Sequence, residues 1–306
     1  MSRILVTGGA GFIASHISDA LIASGNEVHI LDDLSGGKRD NLNAVAHFHE
    51  LDIRSQQAAE LFEKYQFDTL VHHAAQMDVR KSVADPSFDS DVNIRGTLNL
   101  LEAGRRNGLK KVIFASTGGA IYGEPDYAPQ DEDHVLQPLS PYGITKLSVE
   151  KYLAFYQHQY GLAYVALRYG NVYGPRQNPH GEAGVVAIFS RRMLAGENVM
   201  INGDGLQTRD YVFVEDVVRA NLAALNYTES GIFNVGTGVE TSVVDLFRLI
   251  REFSASSIEE KHAPEQPGEQ RRSVLSAVLA KEKLAWSPQV AIEDGIRQTV
   301  DWFRTE

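Results

Sequence analysis

A tyrosine and a lysine stand four residues apart in the segment SPYGITKLSVE, residues 140–150. On a helix that starts near Pro141, Tyr142 and Lys146 fall on one face. A phenol with an ordinary pKa of about 10 is a poor base at neutral pH, but a neighbouring ammonium favours the phenolate and lowers that pKa. Residues of these types at this spacing could therefore act as a general base. The alternative, which this pair alone favours, is a surface helix with an ordinary aromatic residue and a solvated lysine.

A reactive hydroxyl is the second candidate, in the segment FASTGGAIYG, residues 114–123. Ser116 and Thr117 end a predicted strand, where a hydroxyl can bind a substrate oxygen and complete a proton path. The choice between the two residues stays open on sequence alone. The alternative interpretation is a hydroxyl that only satisfies the backbone at a strand end.

The first residues of the chain place small side chains between a strand and a helix, in VTGGAGFIASH. Gly8, Gly11 and Ala14 have the spacing of a loop that admits a pyrophosphate to the N-terminus of a helix. Asp32 ends the next predicted strand about 20 residues further on, where a carboxylate binds the ribose hydroxyls of NAD and repels the 2′-phosphate of NADP. The pattern predicts NAD as the cofactor. A tight turn without a ligand is the alternative.

Further cofactor-binding candidates follow the same strands. Asp33 adjoins Asp32, and its other interpretation is an ordinary turn or helix cap. Asp52 follows a third strand, where it either meets the adenine edge or caps the helix that begins near Ser55. The remaining candidates are the neighbours of these positions, Phe12, Ile13 and Ile53.

Alternating strands and helices are needed to position these residues. Apolar runs predict strands at Arg3–Thr7, Glu27–Leu31, Ala46–His49, Thr69–His72, Lys111–Ser116 and Tyr164–Arg168. Helices are predicted at Gly11–Ser24, Gln56–Tyr65, Asp89–Gly108 and Pro141–Tyr160. Such alternation implies a parallel sheet with helices on both faces. The predicted fold class is α/β, a doubly wound parallel sheet with a smaller, discontinuous C-terminal substrate domain.

The pattern changes after Asn171. A loop is predicted for Asn171–Gly184 and a helix for Val185–Ala195, and short strands are predicted at Tyr211–Val214 and Phe233–Val235. We therefore predict a cofactor-binding unit of residues 1–170 plus about 211–235. The substrate-binding unit is predicted to contain residues 171–210 plus 236–306.

Composition excludes several classes of function. The 306 residues carry 29 Lys and Arg against 40 Asp and Glu, a net charge of −11 that argues against a nucleic-acid partner or an anionic membrane surface. The sequence has no cysteine, which excludes disulfides and zinc–thiolate sites. No apolar stretch approaches the ~18 residues of a membrane span. We expect a soluble, cytoplasmic protein without a metal.

Taken in order, these motifs resemble the extended short-chain dehydrogenase/reductase family, and within it the UDP-glucose 4-epimerase group. The resemblance covers nearly the whole chain and rests on VTGGAGFIASH, LDDLSGG, HHAAQ, DVNIRGTLNL, FASTGGAIYG, SPYGITK, LRYGNVYGPRQNPHGEAGVVAIF, GDGLQTRDYVFVEDV and NVGTG. It implies a Rossmann fold, bound NAD and a homodimer. It also implies 4-epimerisation of a UDP-hexose through a transient 4-keto sugar.

The same resemblance assigns roles to residues. Tyr142 is implied to be the catalytic base and acid, Lys146 to lower its pKa and hold the nicotinamide ribose, and Thr117 to face the sugar 4′-oxygen. Ala74, Ala75, Gln76, Asn93 and Tyr169 are implied to bind the cofactor, with a structural role equally expected for Asn93. The implied substrate-binding residues are Ser116, Thr117, Asn171, Val185, Arg209, Tyr211 and Ser273. Core packing is the alternative for Tyr211, and a salt bridge with Asp210 or Glu215 is the alternative for Arg209.

The chain departs from the family pattern at Gln266, where an arginine often contacts the diphosphate. A small residue at Ser273 predicts that UDP-GlcNAc is accepted as well as UDP-glucose. The pair Gly118–Gly119 carries no carboxylate, which argues against a 4,6-dehydratase or a decarboxylase. A UDP-glucuronate 4-epimerase and a non-catalytic NAD-sensing protein are the remaining alternatives.

Overall fold

The computed structural model describes residues 1–179, 184–265 and 270–306. The strands are β1 (Arg3–Thr7), β2 (Glu27–Asp32), β3 (His47–Glu50), β4 (Thr69–His72), β5 (Lys111–Thr117), β6 (Ala163–Tyr169), β7 (Asn171–Tyr173), β8 (Ile201–Asn202), β9 (Thr208–Phe213), β10 (Gly231–Val235), β11 (Glu240–Ser242), β12 (His262–Ala263) and β13 (Arg272–Ser273). The helices are α1 (Phe12–Ala23), α2 (Gln56–Tyr65), α3 (Val79–Ala84), α4 (Pro86–Ser90), α5 (Thr97–Arg106), α6 (Gly118–Ile121), α7 (Pro141–Tyr160), α8 (Val185–Leu194), α9 (Val214–Asn226), α10 (Val243–Phe253), α11 (Val278–Leu284) and α12 (Ile292–Thr305). Within these ranges no helix has the length and apolar character needed to cross a bilayer.

A seven-stranded parallel sheet forms the larger part of the molecule. Its strand order is β10-β6-β5-β4-β1-β2-β3. The chain proceeds from β1 to one edge and then returns to β4 on the other side of β1. The carboxyl ends of β1 and β4 therefore flank the point where the strand order reverses, which is where ligands bind in sheets of this kind. The predicted fold class is confirmed.

Helices cover both faces of this sheet because its strands alternate their side chains between two cores. Ile4 and Val6 of β1 pack in one cluster with buried residues of α1 and α9. Leu5, between them, packs in the opposite cluster with buried residues of α2, α5 and α7. The central strand β1 is thus buried on both sides, as its apolar sequence predicts.

A second, smaller region is built around β9. This strand pairs with β11, β13 and β7, and helices α8, α10 and α12 pack around a third apolar cluster that includes Tyr211 and Phe213. The loop predicted at Asn171–Gly184 is wrong at its start, because residues 171–173 form β7. The strand predicted at Tyr211–Val214 begins earlier, as β9, and lies in this small sheet, whereas β10 joins the large one. The division into cofactor-binding and substrate-binding units stays a prediction.

The helix predicted at Asp89–Gly108 is interrupted. The structure has α4, a π-helical turn over Asp91–Gly96, and then α5. The hydroxyl of Thr97 donates to the carbonyl of Asn93 at 2.6 Å, and a Cβ on Gly96 would lie 2.6 Å from Ile53 Cδ1. The wide turn thus accommodates the side chain of Ile53 against Gly96. The periodicity of the sequence does not predict such a π-helical turn.

Candidate active site

Helix α7 carries both residues of the predicted base pair. It begins after Ser140, whose hydroxyl accepts a hydrogen bond from the Gly143 N–H at 3.2 Å, and Pro141 occupies the first helical position. Both features favour helix initiation at this point. A Cβ on Gly143 would clash with the carbonyl oxygen of Ala120 in α6, so glycine allows the first turn to lie close to that segment. The local sequence therefore fixes where Tyr142 enters the site.

Tyr142 and Lys146 lie together next to the end of β5. The Lys146 ammonium is buried and donates to the carbonyl of Ala115 at 2.8 Å. Its Nζ lies 5.8 Å from the centroid of the Tyr142 ring and 4.8 Å from that of Phe114. The Tyr142 hydroxyl forms no hydrogen bond with any residue that the structure describes. The phenol is therefore available to an external partner.

Burial dominates the electrostatics of Tyr142 and Lys146 in the protein alone. Burial, with a smaller contribution from the Asp89 carboxylate, raises the pKa of Tyr142 above its ordinary value. Burial also lowers the pKa of Lys146 to about 8. In the protein alone, desolvation of the phenolate raises this pKa, whereas its lowering by the ammonium together with the positive nicotinamide ring of the cofactor stays a prediction.

The two candidate hydroxyls at the end of β5 have different surroundings. Ser116 is buried and donates to Glu150 Oε1 at 2.6 Å. Thr117 Oγ1 has no hydrogen-bond partner in the described part of the chain. A Cβ built on Gly119 would lie 4.0 Å from Thr117 Oγ1 and 3.7 Å from Asn171 Oδ1, so both atoms border one open niche. The geometry favours Thr117 over Ser116 as the substrate-facing hydroxyl.

The glycine loop after β1 has the shape of a dinucleotide cradle. Gly8 has φ +71°, and a Cβ there would lie 2.8 Å from the backbone nitrogen of Ala74. The Gly11 N–H donates to the Gly8 carbonyl at 2.9 Å, and α1 begins immediately afterwards. Phe12 and Ile13 form the first turn of α1 and pack against the third and first clusters, respectively. The loop thus presents a backbone surface at a helix N-terminus, which fits a pyrophosphate.

Asp32 lies beside this loop with its carboxylate fixed. One oxygen accepts from the Ala10 N–H at 3.0 Å and the other from the Leu34 N–H at 2.8 Å. Burial raises its pKa. A carboxylate oxygen can accept more than one hydrogen bond, so both retain capacity for ribose hydroxyls. The residues present therefore fit NAD.

Two other acidic candidates are engaged locally. Asp33 is exposed and accepts from the Ser35 N–H at 2.9 Å, which is the turn interpretation. Asp52 accepts from the backbone and guanidinium of Arg54, which lowers its pKa. The cap of α2 is Ser55, not Asp52, because its hydroxyl accepts from the Ala58 N–H at 3.1 Å.

The loop after β4 is fastened by buried amides. The Gln76 N–H donates to Asn93 Oδ1 at 2.8 Å, and Asn93 Nδ2 donates back to the Gln76 carbonyl at 3.0 Å. Asp89 accepts from Gln76 at 2.9 Å and from Thr145 at 3.0 Å. Asn93 thus has a structural role in fixing the loop that contains Ala74 and Ala75, and a cofactor contact stays a prediction for all of these residues.

Predicted substrate residues come together on the small sheet. Arg209 of β9 is in register with Ser273 of β13, and Asn171 of β7 with Tyr211 of β9. Tyr211 is buried in the third cluster, as its packing alternative requires. Val185 begins α8 after Gly184. Gln266 lies outside the described residues.

The alternative interpretation of Arg209 is a salt bridge with Asp210, but the Asp210 carboxylate binds other groups. Asp210 is buried and accepts from Thr237 N and Oγ1 at 2.7 and 2.6 Å, from Gly238 N at 3.0 Å and from Leu275 N at 3.1 Å. The guanidinium of Arg209 donates to the Thr208 carbonyl at 2.8 Å. Arg209 is half-buried at the level of Ser273, where a cation can meet a diphosphate.

A buried charge network beneath α7 is absent from the sequence analysis. Glu150 binds Arg168 of β6 through two hydrogen bonds of 2.9 and 2.7 Å, and both side chains are almost fully buried. Arg168 also donates to the Tyr122 hydroxyl at 2.8 Å, which donates to Asn234 at 2.7 Å. The sequence does contain a signal for this network, because Glu150 follows Lys146 by four residues and so lies on the same face of α7.

One group of side chains within the described ranges has ligand atoms close enough for a metal ion. Glu27, His29 and His47 have such atoms within 4.8 Å of one another. Glu27 already binds Arg3 Nε at 2.8 Å and His29 Nε2 at 3.0 Å. The group lies near the amino ends of β2 and β3, whereas Asp32 and the glycine loop lie at the carboxyl ends of the strands.

Comparison with known proteins identifies the family of the chain. A family model described as the NAD-dependent epimerase/dehydratase family matches residues 4–236. This chain belongs to that family. The fold, the glycine loop and Asp32 agree with the cofactor in the family's description.

Solved structures of family members superimpose over nearly the whole chain. UDP-glucose 4-epimerase from Thermotoga maritima, solved with UDP-glucose, is 50% identical with a TM-score of 0.97 and 99% coverage of both chains. The Thermus thermophilus enzyme, solved with NAD, is 47% identical with a TM-score of 0.94 and 99% coverage of both. UDP-N-acetylglucosamine 4-epimerase from Methanobrevibacter ruminantium is 37% identical, with a TM-score of 0.94 and coverage of 99% and 98%.

The buried pair beneath α7 generates a stability prediction. Replacing Glu150 with Leu leaves the Arg168 charge buried without its partner, so the free energy of unfolding should fall by about 3 to 5 kcal/mol in urea denaturation. The double variant Glu150→Leu/Arg168→Met removes both charges and should recover at least half of that loss. The control Arg95→Ala breaks an exposed pair with Asp91 and should change stability by less than about 1 kcal/mol. A double variant as unstable as Glu150→Leu would contradict the assignment.

Proposed function

We propose that the chain is an NAD-dependent UDP-hexose 4-epimerase that interconverts UDP-glucose and UDP-galactose. The observation that carries the proposal is the position of Tyr142 and Lys146 beside the end of β5, where the hydroxyl of Thr117 has no partner among the described residues. A glycine loop that fits a pyrophosphate lies at the same carboxyl end of the sheet. Relatives with these activities match over nearly the full chain. A cytoplasmic location is part of the proposal, because NAD and UDP-sugars must both reach the site.

The chemistry divides between the cofactor and the protein. NAD held by the glycine loop and Asp32 would supply the acceptor for the C4′ hydride of the sugar and the donor that returns this hydride to the opposite face. Tyr142 accepts the 4′-hydroxyl proton as the hydride leaves and gives the proton back when the hydride returns, so the net reaction is redox-neutral. Thr117 hydrogen-bonds the same oxygen. Lys146, held on the Ala115 carbonyl, places a positive charge beside the phenol.

The sugar must turn over between the two hydride transfers, so firm recognition has to fall on the nucleoside diphosphate. Arg209 is the cation proposed for the diphosphate, and Asn171 is proposed to contact the phosphate or the sugar. Asn171 Oδ1 borders the same niche as Thr117 Oγ1, which supports its place near the reacting end. Val185 is proposed to contribute backbone to the nucleotide cradle.

Substitution of the proposed base tests the reaction. Tyr142→Phe removes the proton acceptor, so kcat for conversion of UDP-glucose, followed by NMR of the product, should fall by about 100- to 10,000-fold. The dissociation constant of UDP-glucose, measured by calorimetry, should change little. Tyr160→Phe alters an exposed tyrosine at the end of the same helix and serves as the control.

Variants of the two hydroxyls complete this test. Thr117→Val should also lower kcat, whereas Ser116→Ala should act mainly on stability because Ser116 hydrogen-bonds Glu150. Unchanged turnover in Tyr142→Phe, or equal effects of the two hydroxyl variants on kcat, would refute the assigned roles.

Sugar size is proposed to be limited at Ser273, so that the enzyme also accepts UDP-GlcNAc. The Ser273→Tyr variant adds bulk beside Arg209 in register. It should lower kcat/KM for UDP-GlcNAc by about tenfold or more while UDP-glucose conversion is retained. Retained UDP-glucose conversion shows that the variant is folded. Equal kcat/KM for UDP-GlcNAc before and after the substitution would rule out Ser273 as the limit.

A homodimer is proposed through the face that α5 and α7 share. Ile144, Tyr152 and Phe155 of α7 are exposed by 51%, 39% and 49%, an apolar surface unusual for a helix that faces water. The double variant Ile144→Glu/Phe155→Glu should convert a dimer to a monomer in sedimentation velocity. Val45→Glu, at an exposed apolar residue elsewhere, should leave the dimer intact. A monomeric parent protein would contradict the proposal.

A further inference from the structure

Three histidines and one glutamate lie on one face of the strands β2 and β3. The sequence spaces them two residues apart on each strand, as EVH at residues 27–29 and HFH at residues 47–49. Side chains two residues apart on a strand point to the same face of the sheet. The parallel register of the two strands sets His29 level with His47. The four side chains are therefore neighbours, although they come from two separate segments.

The ligand atoms of three of these side chains are close enough for one metal ion. Glu27, His29 and His47 each have such an atom within 4.8 Å of the others. Two ligand atoms on a tetrahedral zinc ion are about 3.3 Å apart, as follows from bond lengths of about 2.0 to 2.1 Å. Glu27 Oε1 and His29 Nε2 are 3.0 Å apart and so already have nearly this spacing. Rotation of the exposed His47 side chain supplies the third ligand.

The second nitrogen of the His29 ring is held in the way that a metal-binding histidine needs. His29 Nδ1 lies 3.0 Å from His49 Nε2, and the two rings are stacked at an interplanar angle of 7°. With a metal ion on Nε2, the proton of the neutral His29 ring is on Nδ1, from which it is donated to His49. Histidine ligands usually donate their other ring N–H to such an acceptor, which orients the ring and strengthens the ligand. His49 is thus a positioning residue for His29.

The group combines a fixed centre with an open side. The side chain of His29 is only 1% exposed, and its ring packs against those of Tyr65 and Phe67 with centroids 4.4 and 5.1 Å away. The side chain of Glu27, in contrast, is 30% exposed, and His47 lies on the edge strand of the sheet. An ion can therefore reach the group from solvent without displacing a helix.

Arg3 competes with a metal ion for the Glu27 carboxylate. Its Nε donates to Glu27 Oε1 at 2.8 Å, and its guanidinium also donates to the Tyr65 carbonyl. The Arg3 side chain is 39% exposed, and ion pairs of this kind contribute little to stability. The guanidinium can therefore turn toward solvent while the ion compensates the charge of Glu27 in its place.

We propose that Glu27, His29 and His47 bind one divalent transition-metal ion of the zinc class, which fastens the edge strand β3 to β2. Imidazole ligands favour zinc, nickel and copper over Mg²⁺, which prefers oxygen. About 10 Å of strand separates His29 from Asp32, so the site is distinct from the cofactor crevice. The proposal therefore does not depend on the proposed reaction. Because the ion binds the folded chain, it should raise the melting temperature.

Calorimetry with untagged, chelator-treated protein tests this site. At pH 7.5, where a histidine with an ordinary pKa of about 6.5 is mostly neutral, the parent should bind one equivalent of ZnCl₂ and no MgCl₂. His47→Gln, at an exposed residue, removes one ligand and should weaken zinc binding by about tenfold or more. The matched control is His158→Gln, at an exposed histidine of α7, which should leave the affinity unchanged.

A variant of His49 tests its positioning role. His49→Phe keeps a ring that can stack on His29 but removes the acceptor for Nδ1–H, so zinc binding should weaken by about tenfold. The melting temperature of the metal-free protein should change little. Unchanged zinc affinity in His49→Phe would overturn the positioning role.

Melting curves and crystals complete the test. One equivalent of zinc should raise the melting temperature of the parent and of His158→Gln more than that of His47→Gln. No zinc binding by the parent, equal affinities of the parent and His47→Gln, or anomalous scattering from zinc at other residues would overturn the site. Turnover of UDP-glucose should be the same with and without this equivalent. A protein that binds zinc here but does not epimerise UDP-glucose would refute only the proposed function.

Discussion

The position of α7 against the large sheet is the constraint on which the candidate site depends. Two successive turns of the helix are hydrogen-bonded to the sheet. Lys146 donates to the Ala115 carbonyl, and one turn further on Glu150 accepts from Ser116 and Arg168. The second contact is a buried ion pair that continues through hydrogen bonds to Tyr122 and Asn234. Buried charges tolerate little displacement because a lost partner leaves a desolvated charge. The network therefore fixes the height of Tyr142 relative to the end of β5.

The cofactor side of the crevice is rigid for a related reason. Gly8 brings the loop after β1 into contact with the backbone after β4, and the Gln76–Asn93 pair fastens the segment beyond it. These contacts use backbone groups and buried amides, which have few alternative partners. Strands β1 and β4 are neighbours because the strand order reverses at this point, and these contacts join their carboxyl ends. A ligand spanning that junction meets preformed geometry, which reduces the entropy lost on binding.

Much of this architecture could be predicted from sequence because it is local. The strand Arg3–Thr7 and the helices at 56–65 and 141–160 have the predicted bounds, since an apolar run, a cap or a glycine marks each end. What could not be predicted depends on contacts between distant segments. The hydroxyl of Ser116 binds Glu150, 34 residues later in the chain, and the ring of His73 is hydrogen-bonded to the Tyr169 hydroxyl, 96 residues later. The burial that raises the pKa of Tyr142 in the protein alone is likewise a property of the whole fold.

The proposed reaction needs a cofactor held firmly through both hydride transfers and a sugar free to turn, and the two sides of the site differ accordingly. The space beside Gly118 is filled, since a Cβ there would clash with Leu275, whereas a Cβ on Gly119 would meet nothing closer than 3.7 Å. The open space thus begins one residue further on, at the edge of the site where the sugar is proposed to lie. A carboxylate at position 119 would occupy this space and bring a charge next to Thr117 and Asn171. Its absence leaves room for a ring to rotate, while the affinity for substrate must come from groups further out, such as Arg209. Rigid support beneath Tyr142 and space above Thr117 are therefore complementary requirements of one mechanism.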